Sequence, residues 1–234
     1  VVLSKLMTQA REAGAFARQA FLLPRDTLAP VLPRDVEPGD HVVVFLHGLF
    51  ATAGVTRPLR QRIERHRGVR TAALSYPPGP GARSLAARLD ALLSVLPSSA
   101  QIHLLGHSLG GIVARHYALT ADDPRIRSTI ALATPFGGVR SARVLGFEGA
   151  RDLDPDGEVL RHIRLARHAA ELPHLSISAG EDVVTGSPHA HALPYGEHVV
   201  IQGIGHNTIL FDEDAMSHVE RRVLSLLADA GFAR

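Results

Sequence analysis

Gln101-Ile-His-Leu-Leu-Gly-His-Ser-Leu-Gly-Gly111 runs directly into Ile112-Val-Ala-Arg-His-Tyr-Ala118. An apolar strand pattern ends on a serine between glycines, and a helical pattern starts at once. A serine hydroxyl is a poor nucleophile unless the backbone presents it, strained and exposed, to a base. The G-x-S-x-G turn does this, because Gly106 and Gly110 have no Cβ and let strand and helix close around Ser108. The strand-to-helix placement, more than the short pattern itself, identifies the turn.

Working outward from that turn, the chain alternates. His41–Leu46 is a continuous apolar run, as expected of a strand buried on both faces. A helix is predicted over 58–67, a strand over 70–76 and an amphipathic helix over 84–96. Strand 102–105 and the helix after Ser108 follow, then strand 129–133. An irregular stretch over 137–173 contains a predicted helix at 158–171. Strands at 175–178 and 198–202 and a helix over 214–230 close the chain. Six apolar strands alternating with helices predict an α/β protein whose mostly parallel sheet is covered on both faces. Right-handed crossovers then put the strand-to-helix turns at the carboxyl edge, where such sheets bind ligands. No internal repeat is present.

The first 40 residues stand apart. Leu3, Leu6, Met7, Ala10, Gly14, Ala17 and Phe21 recur at helical spacing, so 1–23 is predicted as an amphipathic helix. Pro24, Pro30, Pro33 and Pro38 make the rest of 1–40 a connector to a domain spanning 41–234. Packing of the apolar stripe on that domain is the favoured expectation; a dimer contact, a flap over the site and a lipid-surface contact are the alternatives. The chain starts at Val1 and not Met, which points to trimming or processing. A removed signal or anchor, and a cytoplasmic or a secreted location, all stay open.

Composition narrows the function classes. The 234 residues suit one domain with a real core, and 45% apolar with 21% charged residues is globular usage. No run approaches the ~18 apolar residues of a membrane span. Without cysteine there is no disulfide, thiol catalysis or Cys-based zinc site. A pI near 9.5 suggests nucleic acid, yet formal net charge is only +2 and Lys5 is the sole lysine. Arginine raises the pI without creating a strong field at pH 7, and the basic residues are dispersed, so no nucleic-acid partner is expected.

Ser108 needs a base, and 14 histidines are available. His206 lies in Ile201-Gln-Gly-Ile-Gly-His-Asn207, between the last strand and the last helix, where the order Ser…Asp…His puts the base. Asp182, in Ser178-Ala-Gly-Glu-Asp182 after the fifth strand, is the expected acid. Glu181 is its neighbouring alternative, and Asp212 and Asp214 are weaker because they follow the histidine. Backbone N–H groups of Leu49, in His47-Gly-Leu-Phe50, and of Leu109 are the expected oxyanion donors. His47 is expected to pack or hydrogen-bond beneath its loop.

Phe-Leu-His-Gly-Leu at 45–49, Gly-His-Ser-Leu-Gly-Gly at 106–111 and Ala-Thr-Pro-Phe-Gly-Gly at 133–138 together resemble the α/β-hydrolases, and Gly-Ile-Gly-His at 203–206 supports this. The resemblance covers about 41–230 and is to small bacterial lipases and esterases with a compact sheet and little cap. It implies ester hydrolysis through an acyl-enzyme on Ser108, with His206 as base and Asp182 as its partner. Such lipases often have His where this chain has Phe136, which affects pocket shape. Leu49, Phe50, Leu109, Phe136, Val183, Ile209 and Leu210 flank the catalytic turns and are expected to form an apolar wall suited to acyl chains. The long 137–173 connection is expected to be a small cap that contributes to this pocket.

Neither His189 with His191 nor the acidic Asp152-Leu-Asp-Pro-Asp156 has the partners or spacing of a metal site, and capping or turn roles are expected for the acids. No nucleotide-binding glycine motif opens a helix, so no cofactor is expected. A thioesterase, amidase or perhydrolase would use the same residues, and a non-catalytic lipid-binding module would keep the fold without the reaction. Chain length, head group and oligomeric state are not encoded in these motifs.

Overall fold

The computed structural model describes residues 2–166 and 168–229. The expected helix ends at Val1 and Ala230, and the last residues of the 41–234 domain, lie outside these. In chain order the elements are α1 (Val2–Leu22), β1 (His41–Leu46), α2 (Arg57–Ile63), β2 (Val69–Leu74), α3 (Ala82–Leu93), β3 (Gln101–His107) and α4 (Leu109–Thr120). Then come β4 (Ile126–Leu132), α5 (Glu148–Arg151), α6 (Glu158–Leu165), β5 (His174–Ala179), β6 (Glu197–Ile201) and α7 (Glu213–Asp229).

All six strands pair in parallel in the order β2-β1-β3-β4-β5-β6. The continuous apolar run of β1 has its cause in this arrangement. Val42, Val44 and Leu46 enter one core with residues of α3, α4 and α6, while Val43 and Phe45 enter the other with residues of α2 and α7. Both faces of the central strand are therefore dry, and each fully buried side chain contributes about 1.5–3 kcal/mol. The outer edge of β2 is not bare: the connector bridges it through Val31 N–H to Ala73 O at 2.8 Å and Ala73 N–H to Val31 O at 2.9 Å. Strand order reverses between β1 and β3, and their carboxyl ends open a crevice there, as expected for a topological switch point.

Two predicted elements differ from what forms. The 158–171 helix stops at Leu165, with a single turn at Ala169–Glu171 beyond it. The chain bends there to deliver the carbonyls of Ala169 and Leu172 to the guanidinium of Arg115, fully buried on α4, which also donates to Thr129. A buried cation needs acceptors, and a continuous helix would have withheld them.

The larger correction concerns α1. It packs on the domain, but with the opposite face. Thr8, Ala15 and Leu22 are buried and Glu12 and Gln19 half-buried, whereas Leu6, Met7 and Phe21 of the apolar side are 54–67% exposed. The reason is polar: the surface beneath the helix offers backbone and side-chain donors that Glu12 satisfies.

Candidate active site

Ser108 joins β3 to α4 with φ 53° and ψ −122°, a conformation that L-residues avoid. The cause lies in the flanking glycines. A Cβ on Gly106 would overlap the Gly110 carbonyl group, and one on Gly110 would overlap Leu46 O and stand 2.6 Å from His47 O. Strand and helix can approach this closely only without side chains there. Phe50 (φ 59°) and Ala133 (φ 45°), just past the ends of β1 and β4, are also left-handed. Among the described residues, three of the five non-glycine residues with positive φ thus lie at the carboxyl edge of the sheet, and the other two, Asp26 and Asp35, are in the connector.

His206 follows β6 and Asp182 follows β5, and the structure brings them together. His206 Nδ1–H donates to Asp182 Oδ2 at 2.7 Å, with both side chains almost fully buried. Asp182 Oδ1 accepts the N–H groups of Val184 and Thr185 at 2.9 Å each. Burial alone would raise this carboxyl group. The hydrogen bond and charge of His206, with the Thr185 N–H, outweigh it and hold Asp182 below the usual carboxylate range. An ionised Asp182 accepts only, so Nδ1 of His206 is the donor and, in the neutral ring, Nε2 carries no proton. Of the alternatives, Asp212 caps the start of α7 through the N–H groups of Asp214 and Ala215, and among the described residues no hydrogen bond or ion pair joins Glu181 to His206.

The β1 loop closes the other side. A Cβ on Gly48 would stand 3.0 Å from Ser108 Cβ and 3.0 Å from His107 Nδ1, so the loop backbone lies against Ser108. Leu109 is the first residue of α4, so its N–H has no acceptor within the helix. His47 supports the loop from below, as expected: its Nε2 accepts the Tyr76 N–H at 3.1 Å, so Nδ1 carries the proton and donates to Gly48 O at 2.8 Å. Tyr76 donates its hydroxyl to His47 O. Burial, opposed by the bond to Gly48, lowers His47 to about 4, so this support stays neutral.

His107 has a role that sequence reasoning missed. Its Nε2–H donates to the carbonyl of His206 at 3.0 Å, with the two rings 4.9 Å apart. The residue before Ser108 thus holds the backbone of His206 across the cleft. Burial, and next the nearby His206, lower it to about 3, which keeps it a neutral donor. No motif encodes a contact across 99 residues. Its only sequence signal is a polar residue ending an otherwise apolar strand.

Ser108, His206, Gly48, Leu49 and Phe50 line one cleft of about 360 Å³. Of the residues expected in its apolar wall, Leu49 and Phe50 are in place, while Leu109 is buried in the core. Phe136, Ile209 and Leu210 are buried in the cores, and Val183 is 87% exposed outside the cleft. Phe136 points down onto the His174 ring because Gly137 and Gly138 turn the chain immediately after it. The wall instead uses Val184 and, from the 137–173 connection, Val139, Ala142, Leu145 and Leu153. That connection also holds the site's edge, since His191 accepts the Gly137 N–H and donates to Thr185 O. Of the acids considered for metal binding, Asp152 accepts the Ala82 N–H at the start of α3 and Asp154 pairs with Arg143.

Residues 43–228 match the Alpha/beta hydrolase family. Solved structures with the same fold include a Bacillus licheniformis lipase in its mature form, 14% identical with a TM-score of 0.64, covering 84% of this chain and 97% of the lipase. A Paleococcus ferrophilus monoacylglycerol lipase is 17% identical with a TM-score of 0.63, covering 86% and 97%. A Mycobacterium tuberculosis protein proposed to be a non-heme bromoperoxidase is 18% identical with a TM-score of 0.63, covering 88% and 98%. No curated protein matches the sequence.

Proposed function

Because the chain belongs to the Alpha/beta hydrolase family, we propose that it is a serine hydrolase of carboxylic esters with apolar acyl groups. The observation that carries this reading is the buried 2.7 Å Asp182–His206 hydrogen bond at the cleft that also holds the strained Ser108. Ser108 Oγ attacks the acyl carbonyl while His206 Nε2 takes its proton. Charge developing on the carbonyl oxygen is met by the N–H groups of Leu49 and Leu109, the latter at the positive end of α4. The tetrahedral intermediate expels the alcohol, protonated by His206, and leaves an acyl-enzyme. Water, deprotonated by the same imidazole, releases the acid and restores Ser108. Asp182 stays ionised and stabilises the imidazolium that forms in each half.

Acyl esters are favoured over the other substrates of this chemistry because the wall of the cleft is aliphatic and the lipase neighbours share the fold. A p-nitrophenyl ester series from acetate to palmitate tests the reading. Turnover that peaks at a medium or long acyl chain is expected, and turnover of anilides or peracids alone would overturn it.

A lipid surface is the partner we assign to the outer face of α1. Leu6, Met7 and Phe21 are exposed there, and Phe16 and Lys5 are exposed on the same helix, while Arg11 reaches Gly203 O and Arg18 lies over the Phe211 ring. Its one acid, Glu12, is turned into the domain. An amphipathic helix of this kind binds anionic interfaces. Among the described residues no helix is long and apolar enough to cross a membrane. Flotation with phosphatidylglycerol vesicles should carry the protein, and the Phe16→Ser/Phe21→Ser variant should stay behind. A wild-type protein that stays behind or dimerises through this face would contradict the assignment.

A further inference from the structure

The inner face of α1 makes a specific polar contact with the loop that carries His206. Glu12 and Gln19 are seven residues apart, about two helical turns, and so share one side of the helix. Glu12 Oε1 accepts the Asn207 N–H at 2.8 Å and Asn207 Nδ2–H at 2.7 Å. Its Oε2 accepts the Thr208 N–H at 3.0 Å and the Thr208 hydroxyl at 2.7 Å. Gln19 Nε2–H donates to Asn207 Oδ1 at 2.8 Å, so both ends of the Asn207 amide are read by α1. A Cβ on Gly205 would stand 2.6 Å from Glu12 Oε2, so the loop is in close contact on both sides of His206.

The contact is out of proportion to packing. Four donors converge on one carboxylate from a segment more than 190 residues away, and all four belong to the two residues after His206. Among the described residues His206 hydrogen-bonds at two points, Nδ1 to Asp182 and its carbonyl to His107. The chain beyond it is set by Glu12. Without that acceptor the Asn207 and Thr208 N–H groups would turn to water, leaving the chain after His206 to its own turn, in which Ile209 N–H donates to Gly205 O and Leu210 N–H to Asn207 O, and letting the imidazole shift.

We propose that Glu12 is a positioning residue for His206, so that α1 docking sets the placement of the base. This rests on the functional reading above only for its consequence in turnover. The carboxylate is needed for being an acceptor alone. A carboxamide at the same place would aim its own NH2 at two donors and leave them unpaired.

The test compares Glu12→Gln with Arg18→Ala. Arg18 lies 4.7 Å over the Phe211 ring and helps to hold α1, and among the described residues it makes no hydrogen bond to residues 206–208. Two quantities are read well below the unfolding temperature: kcat and KM on a soluble short-chain ester, and the far-downfield proton resonance of the His206 Nδ1–H. Glu12→Gln should lower kcat about 10- to 100-fold with KM unchanged and broaden or shift the resonance, as expected for loss of a base's orientation. Arg18→Ala should lower the melting temperature and leave both readouts at wild type. Glu12→Asp, shorter but still acceptor-only, should recover part of the loss. If Glu12→Gln does not fold, Thr208→Val removes one donor at constant shape and should lower kcat a few-fold. An unchanged resonance and kcat in the Glu12 or Thr208 variant overturns the proposal, as does an Arg18→Ala variant equally impaired in both. A resonance that responds in a protein that turns over no ester would leave the positioning intact and defeat the functional reading instead.

Discussion

Two helices meet the site, and they are held by opposite physics. At the start of α4, the geometry is imposed within a few residues: Gly106 and Gly110 remove the Cβ atoms that would block the turn, and Ser108 is forced to φ 53°. At α1, nothing local dictates the pose. The helix turns its apolar side outward and its acid inward because Asn207 and Thr208 present donors. Hydrophobic periodicity alone favours burial of Leu6 and Phe21. The cost of leaving buried donors unmet decides otherwise, at about 1–3 kcal/mol for each unsatisfied group. Short-range sterics make a site legible, whereas long-range polar pairing adjusts it unseen.

Substitutions on the two sides should behave accordingly. Gly110→Val is expected to have the largest effect, because its Cβ would overlap Leu46 O; a loss of more than ~4 kcal/mol, or no folded protein, should appear in urea unfolding. A stable Gly110→Val protein would remove the steric account of the elbow. Asp182→Asn should fold but lose up to about 10⁴-fold in kcat, since an amide no longer selects the His206 tautomer. A near-wild-type kcat would place the acid elsewhere.

The cleft wall supports a sharper version of the same contrast. Leu145 lines the cleft, and Leu145→Trp should shift the chain-length optimum toward shorter esters by about tenfold in kcat/KM ratio. Phe136, 1% exposed in the core, should behave in the reverse manner. Phe136→Ala should cost about 3–5 kcal/mol of stability while the ester profile keeps its shape. If the two variants exchange phenotypes, the wall has been drawn on the wrong residues.

The smallest expected effect per group is also distributed most widely. Burial lowers His47 to about 4 and His103, His107 and His174 to about 3, from an ordinary 6.5. Between those values the unfolded chain binds more protons than the folded one, so stability falls as pH drops below ~6.5. Each histidine should contribute about 1 kcal/mol per pH unit in that window. Urea midpoints that stay level from pH 7 to 4.5 would mean these rings are not held neutral.

The parallel sheet, the elbow and the Asp182–His206 order were readable because each follows from a local pattern. Strand β1 is apolar throughout since both its faces are covered, and each motif falls after a strand at one edge. The pocket wall was misread for a definable reason. Nearness in sequence to a catalytic turn does not tell which way a side chain points, and Ile209 and Leu210 turn into the core within three and four residues of His206. Apart from Val184, the residues that replaced them sit on the 137–173 connection, which was expected to reach the pocket but has no periodicity to say which side chains do so. His107 and Glu12 act over 99 and 195 residues, beyond any spacing rule. For Glu12 a trace was present: Thr8, Glu12 and Gln19 form a polar line along α1, opposite its apolar stripe.

The central claim is that Ser108 is a nucleophile activated by His206. Its most direct test is the reaction of the intact protein with a fluorophosphonate, followed by mass mapping of the adduct. The account predicts one stoichiometric adduct, on Ser108, formed orders of magnitude more slowly in His206→Ala and absent in Ser108→Ala. An unlabelled wild-type protein, an adduct on another residue, or equal labelling without His206 would contradict it.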